Sequence, residues 1–243
     1  MLNPQFSSDL ISPLSLRARG NRSSQFFDRA ASLLANQLGL DTEQALNGNE
    51  KAALKRSEWV DQHVLDFLQK HPSTIGIELS AGVSTRFHRL SSALEWPQFR
   101  WADINTPETH AFSQSLLPIT DNYRSIGCDI YQDDWLFRAG WRPGLPLIII
   151  TESPKKQAEL AVLIAELCQR AAASMAPVMV VSTGLGSLNG LHQQLPFFEL
   201  HEQCIFQDTT ILATITRMAM KCGIQLPFTQ WSGVRLDFCA KEK

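Results

Sequence analysis

The segment Ile75-Gly-Ile-Glu-Leu-Ser-Ala-Gly-Val-Ser-Thr-Arg86 decides the fold, because it reads as a buried strand followed by small residues and then by a helix. A nucleotide-like ligand needs such a junction, since small residues let it approach the backbone and the first N–H groups of the helix face it. Asp103 stands 21 residues after Gly82, at the end of the next predicted strand, where a carboxylate can accept both hydroxyls of a ribose. The pattern therefore predicts an α/β protein with an adenosine-binding edge.

Short apolar runs continue this pattern along the chain. They cover residues 74–79, 99–104, 125–130, 146–152 and 177–183, and the stretch 155–174 between the last two is helical in character. Continuously apolar runs are typical of strands that are buried on both faces. Their alternation with helices predicts a parallel sheet whose crossovers are right-handed.

The two ends of the chain depart from this alternation. Helices are predicted over 23–38 and about 51–70. Residues 1–55, up to the beginning of the second helix, are predicted to form an amino-terminal helical cap. Residues 184–207 read as an insertion above the acceptor site, and a helix is predicted over 208–222. Ser232-Gly233 then predicts a two-residue turn between antiparallel strands at 224–231 and 234–240.

This order of elements predicts a single domain over residues 1–243 with the α/β fold of class I methyltransferases. In that Rossmann-like fold, a seven-stranded, mostly parallel sheet ends in an antiparallel carboxyl-terminal hairpin.

The composition excludes several other classes of protein. The 22 basic and 24 acidic residues leave a formal charge of −2, which is too little positive charge to hold a nucleic acid. The five cysteines are scattered without a Cys-x-x-Cys pair, so we expect no metal site and reduced thiols in a cytoplasm. The longest apolar stretch, 158–181, is interrupted by charged residues, and we expect no membrane span and no signal peptide.

The glycine pattern favours one cofactor over another. A dinucleotide site would need three glycines, at the positions of Ser80, Gly82 and Thr85, and only Gly82 is present. S-adenosylmethionine has no pyrophosphate, so a single glycine of close approach suffices. We therefore expect S-adenosylmethionine as the methyl donor.

Several further segments resemble one known family. They are Pro13–Ala18, Arg56–Asp61, Ser80–Arg86, Trp101–Asp103, Asp129–Trp135 and Thr151-Glu152. In order and content they are similar to the leucine carboxyl methyltransferase family, and most of all to its bacterial, polyketide-type (tetracenomycin-like) O-methyltransferase branch. The family's glycine motif reads Gly-Ala-Gly-Leu-Asp-Thr-Arg, so that Ser80 and Ser84 are departures from it.

The resemblance implies a set of donor-binding residues. Arg56 would grip the carboxylate of the methionine moiety, and Arg17 would help to close the site over the donor. Gly82 would be the glycine of close approach, Asp103 the ribose acid, and Glu78 of the same motif a further cofactor-binding residue.

The resemblance also implies contacts with the two ends of the donor. Asp129 and Ile130 would contact adenine, although Asp133 and Asp134 lie close by in the sequence and leave open which carboxylate does so. Glu152 would lie near the amino group and the sulfonium, both of which carry positive charge.

Methyl transfer needs mainly a nucleophile held in line and the exclusion of water. A base is required only for a neutral hydroxyl, and His192 and His201 in the predicted insertion are candidates for that role. The alternative, in which both are surface histidines on a packed loop, stays open.

The sequence thus predicts an S-adenosylmethionine-dependent O-methyltransferase that acts on a hydroxyl or carboxyl of a small, polyketide-derived metabolite. Two alternatives remain, namely carboxyl methylation of a protein C-terminus and a non-catalytic binding protein with the same fold. The expected partner is a small-molecule acceptor, without nucleic acid or membrane, and a homodimer is left open.

Overall fold

The computed structural model describes residues 4–23, 26–131, 135–152, 157–185, 198–206 and 231–238, and the statements below concern these residues. The first half of the chain forms α1 (Pro4–Arg22), α2 (Arg29–Gln37), α3 (Gly48–Lys70), β1 (Ile75–Leu79), α4 (Arg86–Ala93), β2 (Arg100–Asn105) and α5 (Pro107–Leu116). The second half forms β3 (Tyr123–Gly127), α6 (Trp135–Arg138), β4 (Leu147–Thr151), α7 (Gln157–Ala172), β5 (Val178–Leu185), β6 (Glu199–Phe206) and β7 (Trp231–Phe238).

The strands form one seven-stranded sheet in the order β3-β2-β1-β4-β5-β7-β6. Strands β1 to β5 are mutually parallel, whereas β7 runs antiparallel to both β5 and β6. The strand order reverses between β1 and β4, and in open α/β sheets ligands bind beyond the carboxyl ends of the strands at such a point. The predicted fold class is confirmed.

The antiparallel end is present, but its strands are not the ones predicted. Ser232 and Gly233 lie inside β7, opposite Gly184 and Thr183 of β5, and form no turn. The partner strand β6 comes from residues 199–206, which the sequence analysis placed in the insertion. Because β7 is hydrogen-bonded on both sides, its pairing outweighs the turn preference of Ser-Gly. The predicted helix 208–222 and residues 224–230 lie outside the described residues.

Apolar side chains cover both faces of the sheet. On one face, Ile75, Ile77 and Leu79 of β1 pack with residues of α6 and α7. On the other face, Trp101 and Ile148 pack with the amino-terminal helices α1, α2 and α3 and with α4. The alternation of side chains along each strand thus leaves Glu78 and Asp103 on the side covered by α4.

We predict that Gly76→Ala destabilises the fold. An added Cβ would lie 2.2 Å from Cε3 of Trp101, which is its register partner on β2 and fully buried. Overpacking of this kind costs about 1–3 kcal/mol of unfolding free energy, which urea denaturation measures.

A double-mutant cycle provides the control. In a Trp101→Leu background the ring is gone, so Gly76→Ala should cost less than it does in the wild-type chain. An equal cost in both backgrounds would contradict the steric explanation.

Candidate functional site

The loop between β1 and α4 owes its shape to two residues in the left-handed backbone conformation. Ser80 has φ 55° and Gly82 has φ 64°. A Cβ at Gly82 would meet only a carbon of Leu10, at 3.7 Å, so it is the backbone conformation rather than lack of space that favours glycine here.

Asn105, the last residue of β2, holds this loop in place. The Gly82 N–H donates to Asn105 Oδ1 at 2.8 Å, and Asn105 Nδ2 donates to the Gly82 carbonyl oxygen at 3.2 Å. The Cys128 N–H donates to the Asn105 carbonyl oxygen at 2.9 Å, which brings the segment after β3 to the same edge. Sequence analysis missed Asn105, although its place at the end of the strand and on the face of Asp103 was a usable signal.

Asp103 is placed differently from the prediction. Its carboxyl is buried within the sheet, where Trp101 Nε1 donates to Oδ1 at 2.9 Å and the Tyr123 hydroxyl donates to Oδ2 at 2.7 Å. Burial, and then the charge of Glu78, raise the pKa of Asp103 to about 8. The structure therefore does not bring Asp103 to the loop, because β2 extends two residues further and ends at Asn105.

Glu78 and Glu152 lie at the ends of the neighbouring strands β1 and β4, and one guanidinium joins them. Arg86, the first residue of α4, donates from Nη1 to Glu78 and from Nη2 to Glu152. Its Nε donates to Asp61 of α3 at 2.7 Å. Although burial opposes the charge, these carboxylates raise the pKa of Arg86 well above its ordinary value.

The two carboxylates differ in their exposure. Glu78 is buried, and its pKa is raised by burial and by the charge of Glu152, against the opposing effect of Arg86. The Glu152 side chain is 29% exposed, so that solvent or a ligand can reach it.

Ser84 contributes to the same cluster. Its hydroxyl donates to Glu78 at 2.8 Å and accepts from the Arg86 N–H at 3.3 Å. Ser84 is not the N-cap of α4, because that position is Thr85, whose side chain makes no capping bond.

Further ion pairs connect this cluster to the amino-terminal helices. Arg89 donates to Asp61 at 2.7 Å and to Asp28 at 2.8 Å. Asp28 also accepts from the Thr85 hydroxyl at 2.6 Å, and as the N-cap of α2 it accepts from the Ala31 N–H at 2.8 Å. These bonds fix α2 against the start of α4.

The two predicted arginines lie around the same loop. Arg17 of α1 donates from Nη2 to the Val83 carbonyl oxygen at 2.6 Å, and burial lowers the pKa of its guanidinium to about 10. Arg56 of α3 is half-buried, and burial lowers its pKa while the nearby charge of Glu152 opposes that shift. Glu152 thus lies under the influence of both Arg86 and Arg56.

Asp129 and Ile130 follow β3 at this edge. Asp129 is exposed, and its Oδ1 accepts from the Tyr131 N–H at 3.0 Å. Ile130 is half-buried against the core, and its carbonyl oxygen accepts from Trp135 Nε1 at 2.9 Å. Asp133 and Asp134 lie outside the described residues.

Of the two predicted histidines, His201 lies within the described residues and does not join this site. His201 lies on β6, which is separated from β1 by the three strands β4, β5 and β7, and it stands between positions that pair with Leu236 and Arg235 of β7. Leu236 in turn pairs with Val180, in the amino-terminal half of β5. His201 therefore lies away from the carboxyl edge, and its Nδ1 lies 3.8 Å from Asp237 Oδ2. His192 lies outside the described residues.

Three further features of the described residues are a groove, the character of the helices and the possible metal ligands. A groove of about 870 Å³ lies between α2, α3 and α4, and Gly82, Asn105 and Glu152 are not among the described residues that line it. Among the described helices, none has the length and apolar character needed to cross a membrane. Within the described part of the chain, no group of three or more His, Cys, Asp or Glu side chains could hold a metal ion.

Comparison with solved structures identifies the class of fold. The chain is similar to a proposed sarcosine dimethylglycine methyltransferase from Galdieria sulphuraria, with a TM-score of 0.50 and 10% identity over 77% of this chain and 86% of that chain. It is also similar to magnesium protoporphyrin IX methyltransferase from Synechocystis PCC 6803, with a TM-score of 0.49 and 11% identity over 90% and 97% of the two chains. The fold is the Rossmann-like fold of class I S-adenosylmethionine-dependent methyltransferases.

Comparison with curated proteins finds a distant homologue. The chain is 25% identical over 131 residues to the tetracenomycin polyketide synthesis O-methyltransferase TcmP of Streptomyces glaucescens. The match covers 52% of this chain and 47% of TcmP, so the chain spans about half the length of this relative. No family model matches the sequence, and membership of the leucine carboxyl methyltransferase family is therefore not shown.

We predict a pH-dependent stability that originates in Asp103. Its raised pKa means that the folded chain keeps a proton which the unfolded chain releases near pH 4, so the unfolding free energy falls as the pH rises from about 4 to about 8. Asp103→Asn cannot titrate, yet it still offers hydrogen-bonding atoms to Trp101 and Tyr123. Relative to wild type, the variant should gain at least ~1 kcal/mol in urea unfolding between about pH 5 and about pH 8.5. A constant difference between the two proteins would refute this.

Proposed function

We propose that the chain is an S-adenosylmethionine-dependent O-methyltransferase that methylates a hydroxyl or carboxyl of a small, polyketide-derived metabolite. The observation that carries the proposal is the arrangement at the β1–β4 switch point, where the left-handed loop at Gly82 lies beside the carboxylates Glu78 and Glu152. The shared fold supports the donor, and the name of the distant homologue TcmP supports O-methylation in polyketide synthesis.

Each end of the donor has residues that suit it. The adenosine would lie over the loop, with Gly82 at the point of close approach and with Asp129 and Ile130 beside the adenine. For the ribose we propose Asn105 rather than Asp103, because Asn105 contacts the loop whereas the carboxyl of Asp103 is bonded inside the sheet.

The methionine moiety carries both an ammonium and a carboxylate. Glu152 is partly exposed and negatively charged, and Arg56 lies close enough to interact with it electrostatically. Such a pair suits a zwitterion, since the carboxylate attracts the ammonium and the guanidinium binds the carboxylate by two parallel bonds. Arg17, bonded to the carbonyl of Val83, would help to cover the donor.

The bound donor would supply an electrophilic methyl carbon on a sulfonium. The task of the chain is then to hold the acceptor oxygen in line and to exclude water. A carboxylate acceptor needs no base, whereas a neutral hydroxyl does. His192 stays a candidate for that base, while His201 is a weaker one because it lies away from the carboxyl edge.

The remaining expectations belong to the same proposal. Cys128 and Cys168 are buried free thiols, which supports a reducing, cytoplasmic setting. The proposed acceptor is a small molecule, and the proposed family is that of the leucine carboxyl methyltransferases. The oligomeric state, including a homodimer, is left open.

We predict that the protein binds S-adenosylhomocysteine with micromolar affinity in isothermal titration calorimetry. Asn105→Ala should weaken binding by about 1–3 kcal/mol, because it removes the loop tether and a polar partner of the ribose. Asp103→Asn serves as the matched control and should change the affinity less than threefold. The reverse ranking of the two variants would restore Asp103 as the ribose residue.

The reaction is tested with methyl-labelled S-adenosylmethionine and a panel of phenols, aliphatic alcohols and carboxylic acids. We expect a labelled small-molecule product, and treatment with base distinguishes a methyl ester, which releases methanol, from a stable ether. Label on the C-terminus of a protein would instead favour the alternative that the chain is a protein carboxyl methyltransferase. A protein that binds neither S-adenosylmethionine nor S-adenosylhomocysteine would overturn the proposed function.

A further inference from the structure

Positive and negative side chains form a cluster of ion pairs at the β1–β4 edge. The proposed contacts with the donor do not explain all of these ion pairs. Seven described side chains take part through ion pairs, namely Arg17, Arg86 and Arg89 with Asp28, Asp61, Glu78 and Glu152. Three cations thus face four carboxylates, and Arg56, whose charge acts on Glu152, is the fourth cation. The four cations and four carboxylates balance, and among the described side chains only Arg86 bonds both Glu78 and Glu152.

The shape of the guanidinium explains why an arginine occupies this position. Arg86 directs its three nitrogens to three carboxylates on three different elements, which are α3, the end of β1 and the residue after β4. A lysine ammonium is a point charge on a flexible stem and does not provide this planar fork. Without the fork, Glu78 and Glu152 would repel each other at the ends of adjacent strands, and burial would favour the neutral form of Glu78.

Exposure determines which carboxylate can meet a ligand. Arg86 and Glu78 are buried, whereas the Glu152 side chain is 29% exposed and is held by Arg86 from its inner side. An incoming ammonium can therefore reach Glu152 without displacing Arg86.

We propose that Arg86 is a positioning residue for recognition of the methionine moiety, which holds Glu152 in place beside Glu78 so that Glu152 can receive the donor ammonium. This inference rests on the proposed function, because it assumes that the donor binds at this edge. Arg86 itself does not touch the donor.

Two ligands separate this role from a merely structural one. S-Adenosylhomocysteine carries the amino-acid group, whereas 5′-methylthioadenosine retains the adenosine and the sulfur but lacks that group. We expect Arg86→Met to weaken the binding of S-adenosylhomocysteine at least tenfold in calorimetry and to change the binding of 5′-methylthioadenosine less than threefold.

The chain offers a matched control on the same helix. The Arg89 side chain is only 8% exposed and also bonds Asp61, but its other carboxylate partner is Asp28, and it forms no hydrogen bond or ion pair with the described side chains of Glu78 and Glu152. Arg89→Met should therefore alter the affinity for each ligand less than threefold. In the Arg86→Met background, Glu78→Gln should restore part of the lost affinity, because it removes the uncompensated charge beside Glu152.

The outcomes are distinguishable. An equal loss for both ligands, or no loss for S-adenosylhomocysteine, overturns the role of Arg86. If Arg86→Met does not fold, Arg86→Lys is measured by the same criteria, and failure of both variants to fold shows that the residue serves stability and likewise overturns the proposal. A wild-type protein that binds neither ligand refutes the proposed function itself, and this inference with it.

Discussion

The buried guanidinium of Arg86 is the constraint on which the architecture of the site depends. Its three acceptors belong to elements that are far apart in the sequence, since Asp61 lies on α3, Glu78 on β1 and Glu152 after β4. Removing this cation would leave the buried carboxylate of Glu78 without its ion-pair partner, which is much costlier than losing an exposed ion pair. The residue at the start of α4 thus sets the mutual positions of the helical cap and of two strand ends.

The neighbouring carboxyl of Asp103 shows what happens without a bonded cation. Glu78 and Asp103 are register partners on β1 and β2, yet only Glu78 bonds Arg86. Asp103 is satisfied by an indole and a phenol, and burial raises its pKa to about 8. Negative charge is therefore concentrated at the β1–β4 end of the edge, while β2 ends in the neutral amide of Asn105, which is buried and bonded to the loop at Gly82.

The sequence predicted the parallel strands and the glycine loop well, because each rests on a local pattern. Continuous apolar runs mark strands that are buried on both faces, and the small residues around Gly82 mark the turn into α4. It did not locate the antiparallel pair, because Ser232-Gly233 has the composition of a turn but lies in a strand paired on both sides. It also did not point to Asn105, because Asp103 and Asn105 lie on one face of β2 and only the length of the strand shows that Asn105 is the one bonded to the loop.

The structure explains physically how the loop accommodates Ser80 and Ser84, which differ from the glycine motif of the leucine carboxyl methyltransferase family. Ser80 adopts φ 55°, the conformation that a glycine would supply, at a cost of about 1 kcal/mol, so the loop keeps its shape without the first glycine. Ser84 stands where that family's motif has an aspartate, and its hydroxyl donates to Glu78 and accepts from the Arg86 N–H. An aspartate there would add a further carboxylate beside Glu78, which already shares Arg86 with Glu152 and Asp61. The two serines are therefore compatible with an intact loop, and the bond of Ser84 to Glu78 ties one of them directly to the charge cluster.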